Sequence, residues 1–286
     1  MDVKAILMGC AFAVMWSSAF TSAKVAVAYA PPFAMLSLRF LISGLLAILI
    51  AWALGQTARL TRAQWRAVIG FGVLQNVVYL GGNFYAAQTV DASLAVIVAS
   101  LLPLLVAGAN AVSGERLGLV ATLGLFAGLA GVLTIMASRL DGGADPVGVA
   151  IIVISVLALT LATLLVRGAS SGNNVIMVVG LQMLVGSAVL LPISLATEVH
   201  VVEWRWELFA AFSYTTLVPG LLATITWFNL VGRIGATRAA TFHFLNPFLG
   251  VAIASVILGE ALGLRDYLGV AVIMAGILAV QLSRRG

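Results

Sequence analysis

Ten apolar runs divided by short polar punctuation account for almost the whole chain: roughly 5–28, 33–54, 65–87, 91–112, 118–138, 147–167, 174–196, 206–230, 236–258 and 264–283. Each is about 20 residues long, the length at which an α-helix crosses the hydrocarbon layer of a bilayer. The connections carry turn chemistry, as at Pro31-Pro32, Asp141-Gly142-Gly143 and Ser170-Ser171-Gly172. None is long enough to hold a soluble domain. The pattern predicts an all-α integral membrane protein of ten transmembrane helices.

Composition strengthens this reading. Hydrophobic residues make up 62% of the chain and charged residues 9%, against about 25% charged in an ordinary soluble domain. Such a surface must face lipid, so the bilayer is the first expected partner. The net charge of +5 does not point to nucleic acid. Its basic residues sit in short loops, without the interleaved aromatics of a binding patch. Cys10 is the only cysteine, which excludes an intrachain disulfide and a cysteine metal cluster and leaves it to pack as a small apolar residue. No metal site, cofactor or P-loop is expected. The run after Lys4 resembles a secretory signal but continues to Val27 without a convincing cleavage site, so it reads as a retained first helix.

Loop charge sets the expected orientation. With the N-terminus inside, Lys4, Arg59, Arg62, Arg66, Arg116, Arg167, Arg233, Arg238, Arg284 and Arg285 fall on the cytoplasmic side and Lys24, Arg139, Arg205 and Arg265 opposite, ten against four. Positive charge favours the inside, so both termini are expected in the cytoplasm.

One stretch occurs twice. Leu102-Pro103 lies in an apolar run ending at Gly114-Glu115-Arg116-Leu117-Gly118; Asn246-Pro247 lies in one ending at Gly259-Glu260-Ala261-Leu262-Gly263. A shift of 144 residues puts Pro103 on Pro247, Ser93 on Thr237 and Ala92 on Ala236; a shift of 145 then puts Glu115 on Glu260, Gly118 on Gly263, Gly124 on Gly269 and Gly131 on Gly276. This predicts a duplication, with repeats at 1–140 and 141–286 forming one membrane domain. Five helices is an odd number, so the second repeat enters the membrane upside down. Two inverted five-helix repeats are a recurrent transporter architecture.

These paired Pro-centred helices, each followed by Gly-Glu-x-Leu and a glycine-spaced last helix, resemble the EamA family of the drug/metabolite transporter superfamily. Trp16-Ser17-Ser18-Ala19-Phe20 and Leu38-Arg39-Phe40 fit the same pattern. Within the family, the chain as a whole is similar to YddG-type aromatic amino-acid exporters of bacterial inner membranes. The resemblance implies a multi-pass protein of that membrane exporting small molecules. Many members carry an acidic residue before the second-half proline, where this chain has Asn246.

Candidate site residues follow from polarity inside the spans. An unpaired amide is costly in hydrocarbon, so such groups should face other helices or water. Gln75, Tyr79 and Asn83, four residues apart, are expected on one helical face beside a flexible Gly81-Gly82 pair; hydrogen-bonded glue between helices is the alternative. Trp16, Tyr79, Tyr214 and Trp227 could wall a pocket for a flat organic substrate, although Trp227 also suits an interfacial belt. Asn246 and His243, the only histidine well inside a span, add polar groups. Pro103 and Pro247 are expected to kink their helices near the middle and act as hinges with Gly81 and Gly82. Arg39 is expected to snorkel to the surface or pair with a carbonyl. Glu115 and Glu260 are assigned to helix-end structure. The last helix of each half, glycine-rich and nearly free of polar side chains, is expected to pack closely.

The expected function is alternating-access export of aromatic and other amino acids or related metabolites. The alternative is a broad drug/metabolite exporter; a passive channel or membrane enzyme is less favoured. An enzyme would need a catalytic constellation the sequence lacks. With no Asp or Glu in the middle of a span, export is expected to run down the substrate gradient or to couple through a group such as His243. Ten helices could form a complete carrier as a monomer.

Overall fold

The computed structural model describes residues 3–114, 118–166, 174–234, 239 and 241–283. They contain helices and no strand. Among the described residues nine helices are long and apolar enough to cross a membrane: α1 (Val3–Val27), α2 (Pro32–Ala53), α3 (Arg62–Ala86), α4 (Ala92–Val112), α5 (Leu119–Asp141), α6 (Pro146–Leu165), α7 (Val175–Thr197), α8 (Trp206–Ile234) and α10 (Leu264–Ser283). A tenth, α9 (Phe242–Leu258), is shorter. The Glu115 loop and the predicted start of the ninth span at 236 lie outside the described residues.

Local chemistry sets the helix ends. Pro32 opens α2 in its first turn, where a missing N–H costs nothing. Thr61 and Gln64 form a reciprocal capping box on α3. Asp145 precedes α6 and accepts from Thr89 Oγ1 at 2.7 Å and from the N–H groups of Val147 and Gly148. The Thr89 hydroxyl foremost, then these amides, hold its carboxyl below the usual range. Gly259 ends α9 at φ 69°, in the left-handed region.

Four spans depart from regular α-helix. α4 breaks at Ser100–Leu101 and restarts at Leu102. The described chain enters α9 through a 3₁₀ turn, Thr241–Leu245, and becomes α-helical at Asn246. Pro103 and Pro247 therefore occupy the first turn of a restarted helix and do not kink a continuous one. At that position the absent N–H breaks no helical bond, while the chain before it leaves α geometry. α3 is π-helical over Gly72–Gly81 and α8 over Thr216–Leu222, segments whose starts are 144 residues apart. Pro219 supplies the cause in α8. Along this stretch Tyr79 and Asn83 are buried and Gln75 is half-buried. Gly81 and Gly82 have ordinary helical dihedrals, φ −58° and −61°.

The chain forms two compact units, each drawing on both halves of the sequence. Unit 1 comprises Met1–Thr21, Thr89–Val153 and Leu222–Gly286; unit 2 comprises Ser22–Gln88 and Ile154–Leu221.

In unit 1, α5 and α10 run antiparallel in close contact, with Gly124 against Gly276 and Gly131 against Gly269. A Cβ on Gly276 would lie 2.5 Å from the Gly124 carbonyl oxygen and 3.0 Å from the Gly128 Cα, so only hydrogen fits. The expected glycine packing is present. α4 lies against α9 through Val96 and Gly250. Glu260 accepts from the Ala92 and Ser93 N–H groups at 2.8 and 3.0 Å, closing the first turn of α4. Arg139, at the end of α5, grips Asp266 of α10 at 3.3 and 3.1 Å and reaches Asp91 at 3.3 Å. Cys10 packs with an apolar cluster around Ala5, Leu230, Ala239 and Phe242.

In unit 2, α2 and α7 also run antiparallel. Ser37 Oγ donates to Ser187 O at 3.1 Å and Ser187 Oγ to Ser37 O at 2.9 Å, while Gly44 meets Gly180 farther along. Phe40, Leu36 and Leu190 are fully buried beside them. Glu198, just past α7, accepts from the Phe33 and Ala34 N–H groups at 2.7 and 2.9 Å. It thus caps α2 as Glu260 caps α4. Each carboxylate binds two amides with two oxygens, and a glutamine offers only one. Glu198→Gln and Glu260→Gln are each expected to cost about 1–2 kcal/mol, read as a lower melting temperature of the purified protein.

Candidate functional site

In unit 1, α1 presents Phe12 and Trp16 four residues apart, hence on one face. The last part of α8 supplies Trp227, and the 3₁₀ turn of α9 supplies His243. The three rings surround the imidazole edge-on: centroids lie 5.4 Å from it for Phe12, 5.9 Å for Trp16 and 5.2 Å for Trp227. Phe12 and Trp227 also touch each other at 4.8 Å. Such tilted and edge contacts suit the ring quadrupoles.

The turn geometry explains the polar end of this cluster. In a 3₁₀ helix, residues three apart eclipse one another. His243 therefore sits over Asn246, whose Nδ2 lies 2.9 Å from His243 Nδ1. In this pairing the amide donates, leaving the imidazole proton on Nε2. Ser17 of α1 lies 3.3 Å from the Asn246 carbonyl oxygen and 3.5 Å from its Oδ1. Asn246 is 1% exposed, so its amide is held by protein partners. The result is an aromatic wall with an amide–imidazole–hydroxyl end, next to the restarted helix at Pro247.

The other predicted residues lie in unit 2. Asn83 Nδ2 donates to Tyr79 O at 2.7 Å, and Asn83 Oδ1 is buried without a partner. Asn76, beside Gln75, donates to Gln182 O at 2.8 Å and so ties α3 to α7. Tyr214 is 37% exposed. The predicted set thus divides, with Trp16, Trp227, His243 and Asn246 together in unit 1 and Gln75, Tyr79, Asn83 and Tyr214 in unit 2. Trp227 belongs to the aromatic cluster. Phe12 was not singled out from the sequence, although its spacing to Trp16 was a usable signal. Arg39 does not snorkel: it is 7% exposed, within unit 2. Among the described residues no group of three or more His, Cys, Asp or Glu side chains is arranged to hold a metal.

Comparison with known proteins gives these features a context. The chain is 26% identical over 270 residues to the uncharacterized transporter YvbV of Bacillus subtilis, covering 94% of this chain and 88% of that protein. It is 24% identical over 287 residues to the uncharacterized inner membrane transporter YedA of Escherichia coli K12, covering 97% and 91%. A solved crystal structure matches with a TM-score of 0.73 at 24% identity, over 100% of this chain and 99% of that one, a likeness of fold. The model of the EamA-like transporter family matches twice in succession, over residues 3–137 and 146–282. With most of its length accounted for by those two matches, the chain belongs to the EamA-like transporter family of the drug/metabolite transporter superfamily.

Proposed function

We propose that this membrane transporter exports aromatic and other amino acids or related metabolites by alternating access. The observation that carries the reading is the Phe12–Trp16–Trp227 wall closed by His243, Asn246 and Ser17. A zwitterion with a flat side chain suits such a surface: rings accept the side chain, and the amide and hydroxyl orient its polar end. Gln75, Tyr79, Asn83 and Tyr214 are proposed as further substrate contacts, and the restarts at Pro103 and Pro247 as the points where α4 and α9 bend.

The two repeats, 1–140 and 141–286, are proposed to be inverted. The antiparallel pairs α5–α10 and α2–α7 support this, because each joins corresponding helices of the two halves. Exchange of shape between inverted repeats opens opposite sides in turn. The proposed location is the bacterial inner membrane, with both termini cytoplasmic and the monomer as the working unit. YedA, named an inner membrane transporter, and the loop charges support that placement. Export runs down the substrate gradient or couples through His243.

The test is transport by the purified chain in liposomes loaded with radiolabelled phenylalanine or threonine, with and without a pH gradient. Saturable efflux competed by aromatic amino acids is expected. His243→Ala and Asn246→Ala are each expected to raise KM about tenfold, the loss of one buried hydrogen bond to substrate or its partner. Transport of another metabolite class alone removes the amino-acid assignment. Proton flux strictly coupled to substrate and surviving His243→Ala removes both coupling schemes.

A further inference from the structure

Arg39 carries a full charge inside unit 2, yet the described residues provide no carboxylate within ion-pair distance of it. It sits on α2, nearly two turns from Pro32, and is 7% exposed. Its Nε is buried and has no hydrogen-bond partner. One turn further on the same face, Ser43 is 1% exposed and its Oγ is also without a partner. The two groups meet at one place. A Cβ on Gly220 would lie 3.5 Å from Arg39 Nη2 and 3.8 Å from Ser43 Oγ. Gly220 belongs to the π-helical turn of α8, so no side chain stands between these donors and that backbone. The Thr215 carbonyl oxygen lies 3.2 Å from the same point. The Phe40 ring, 5.4 Å from the guanidinium carbon, is the one π face that α2 itself offers the charge.

A buried cation in a membrane protein is costly unless something compensates it. One aromatic ring offsets part of that cost. A guanidinium with an unused Nε–H and an unused serine hydroxyl, both beside a bare turn, are the kind of donors that a monovalent anion takes. We propose that Arg39 and Ser43, facing the π-helical turn at Gly220, form a binding site within unit 2 for the carboxylate of a small organic acid. This anion site does not depend on the amino-acid reading above.

The experiment measures melting of the full chain in lipid nanodiscs, in dilute buffer, as wild type and as Arg39→Gln, Arg39→Lys and Ser43→Ala. The added probes are phenylalanine, 3-phenylpropionate (acid without amine), phenethylamine (amine without acid) and sodium chloride. Phenylalanine and 3-phenylpropionate are expected to raise the wild-type melting temperature. Their half-saturating concentrations are expected to rise about tenfold or more in Arg39→Lys, which keeps the charge but loses the guanidinium fork. Arg39→Gln should abolish the effect, Ser43→Ala weaken it, and phenethylamine shift all four proteins alike. If Arg39→Gln does not fold, the lysine and Ser43→Ala proteins carry the comparison. Equal stabilisation by the acids in wild type and variants overturns the site, as does no stabilisation by any anion. Arg39-dependent stabilisation by chloride without any effect of the acids overturns the carboxylate assignment in favour of a free anion. Arg39-dependent binding of the acids in a protein that moves no amino acid in liposomes leaves the site standing and removes the export reading instead.

Discussion

Arg139→Met is expected to destabilise the purified protein by about 3–5 kcal/mol, the range for a buried ion pair that loses one partner. Arg139 makes two bonds to Asp266, at 3.3 and 3.1 Å, and a third to Asp91 at 3.3 Å. The partners are not equivalent: the Asp266 side chain is 8% exposed and that of Asp91 48%. Without the guanidinium, Asp91 turns to water at little cost. Asp266 keeps only the Gly263 N–H, which donates to its Oδ2 at 2.8 Å. The cost therefore lies in the stranded aspartate, and this makes a second prediction of sign. Arg139→Met with Asp266→Asn is expected to be more stable than Arg139→Met alone, because the double change removes the uncompensated charge. Arg139→Lys recovers a charge but not the two-pronged grip, and should fall between wild type and methionine. Thermal unfolding followed by loss of monodisperse protein checks all three. Equal melting temperatures for the single and double variants would show that the stranded carboxylate is not the cause.

Gly276→Leu is expected to cost about 3 kcal/mol, the upper end of ordinary overpacking, and to deplete folded protein from the membrane fraction. The reason is what a side chain would meet. The atoms around the missing Cβ are the Gly124 carbonyl oxygen and the backbone of Gly128, and backbone cannot rotate away as a side-chain tip can. The only relief is to separate α5 from α10, which forfeits their remaining contacts. Gly232→Ala is the control. It lies exposed in the helical last part of α8 with nothing within 4 Å of its would-be Cβ. Alanine there should gain about 0.5–1 kcal/mol through helix propensity. Opposite outcomes for two helical glycines, read by the same melting assay, separate close approach from flexibility as the reason glycine is present.

What the sequence made legible follows from what each feature depends on. Helix positions depend on run length and hydropathy, both local, and nearly all spans ended within a few residues of expectation. Gly124, Gly131, Gly269 and Gly276 could be read as contact residues because their spacing repeats between halves. The role of Glu260 at a helix end was likewise visible from its place after Gly259. Hydrogen-bond register was not. Pro219 marks the π turn of α8, but α3 takes the same register without a proline, so no residue type announced it there. Pro103 and Pro247 were recognised as a pair, yet their effect depended on where the preceding turn stopped being α-helical. Arg39 was misjudged because snorkelling is decided by neighbours on other helices, and no local rule names those. The candidate site was half legible for the same reason. Residue type picked Trp16, Trp227, His243 and Asn246, while their assembly needed the 3₁₀ turn that sets His243 over Asn246.

The capping carboxylates have a bearing on how the polypeptide tolerates being cut. Glu198 and Glu260 both come from the second family-matching stretch, and both secure helices of the first. Ser37 likewise exchanges bonds with Ser187, and Gly124 nests against Gly276. The interlacing runs so deep that a fragment ending near residue 140 would carry incomplete pieces of both compact units and a whole version of neither. Severing the chain in the Asp141-Gly142-Gly143 turn would thus leave two polypeptides that must meet during insertion to fold at all. Made together from separate messages, they have every contact needed to reassemble.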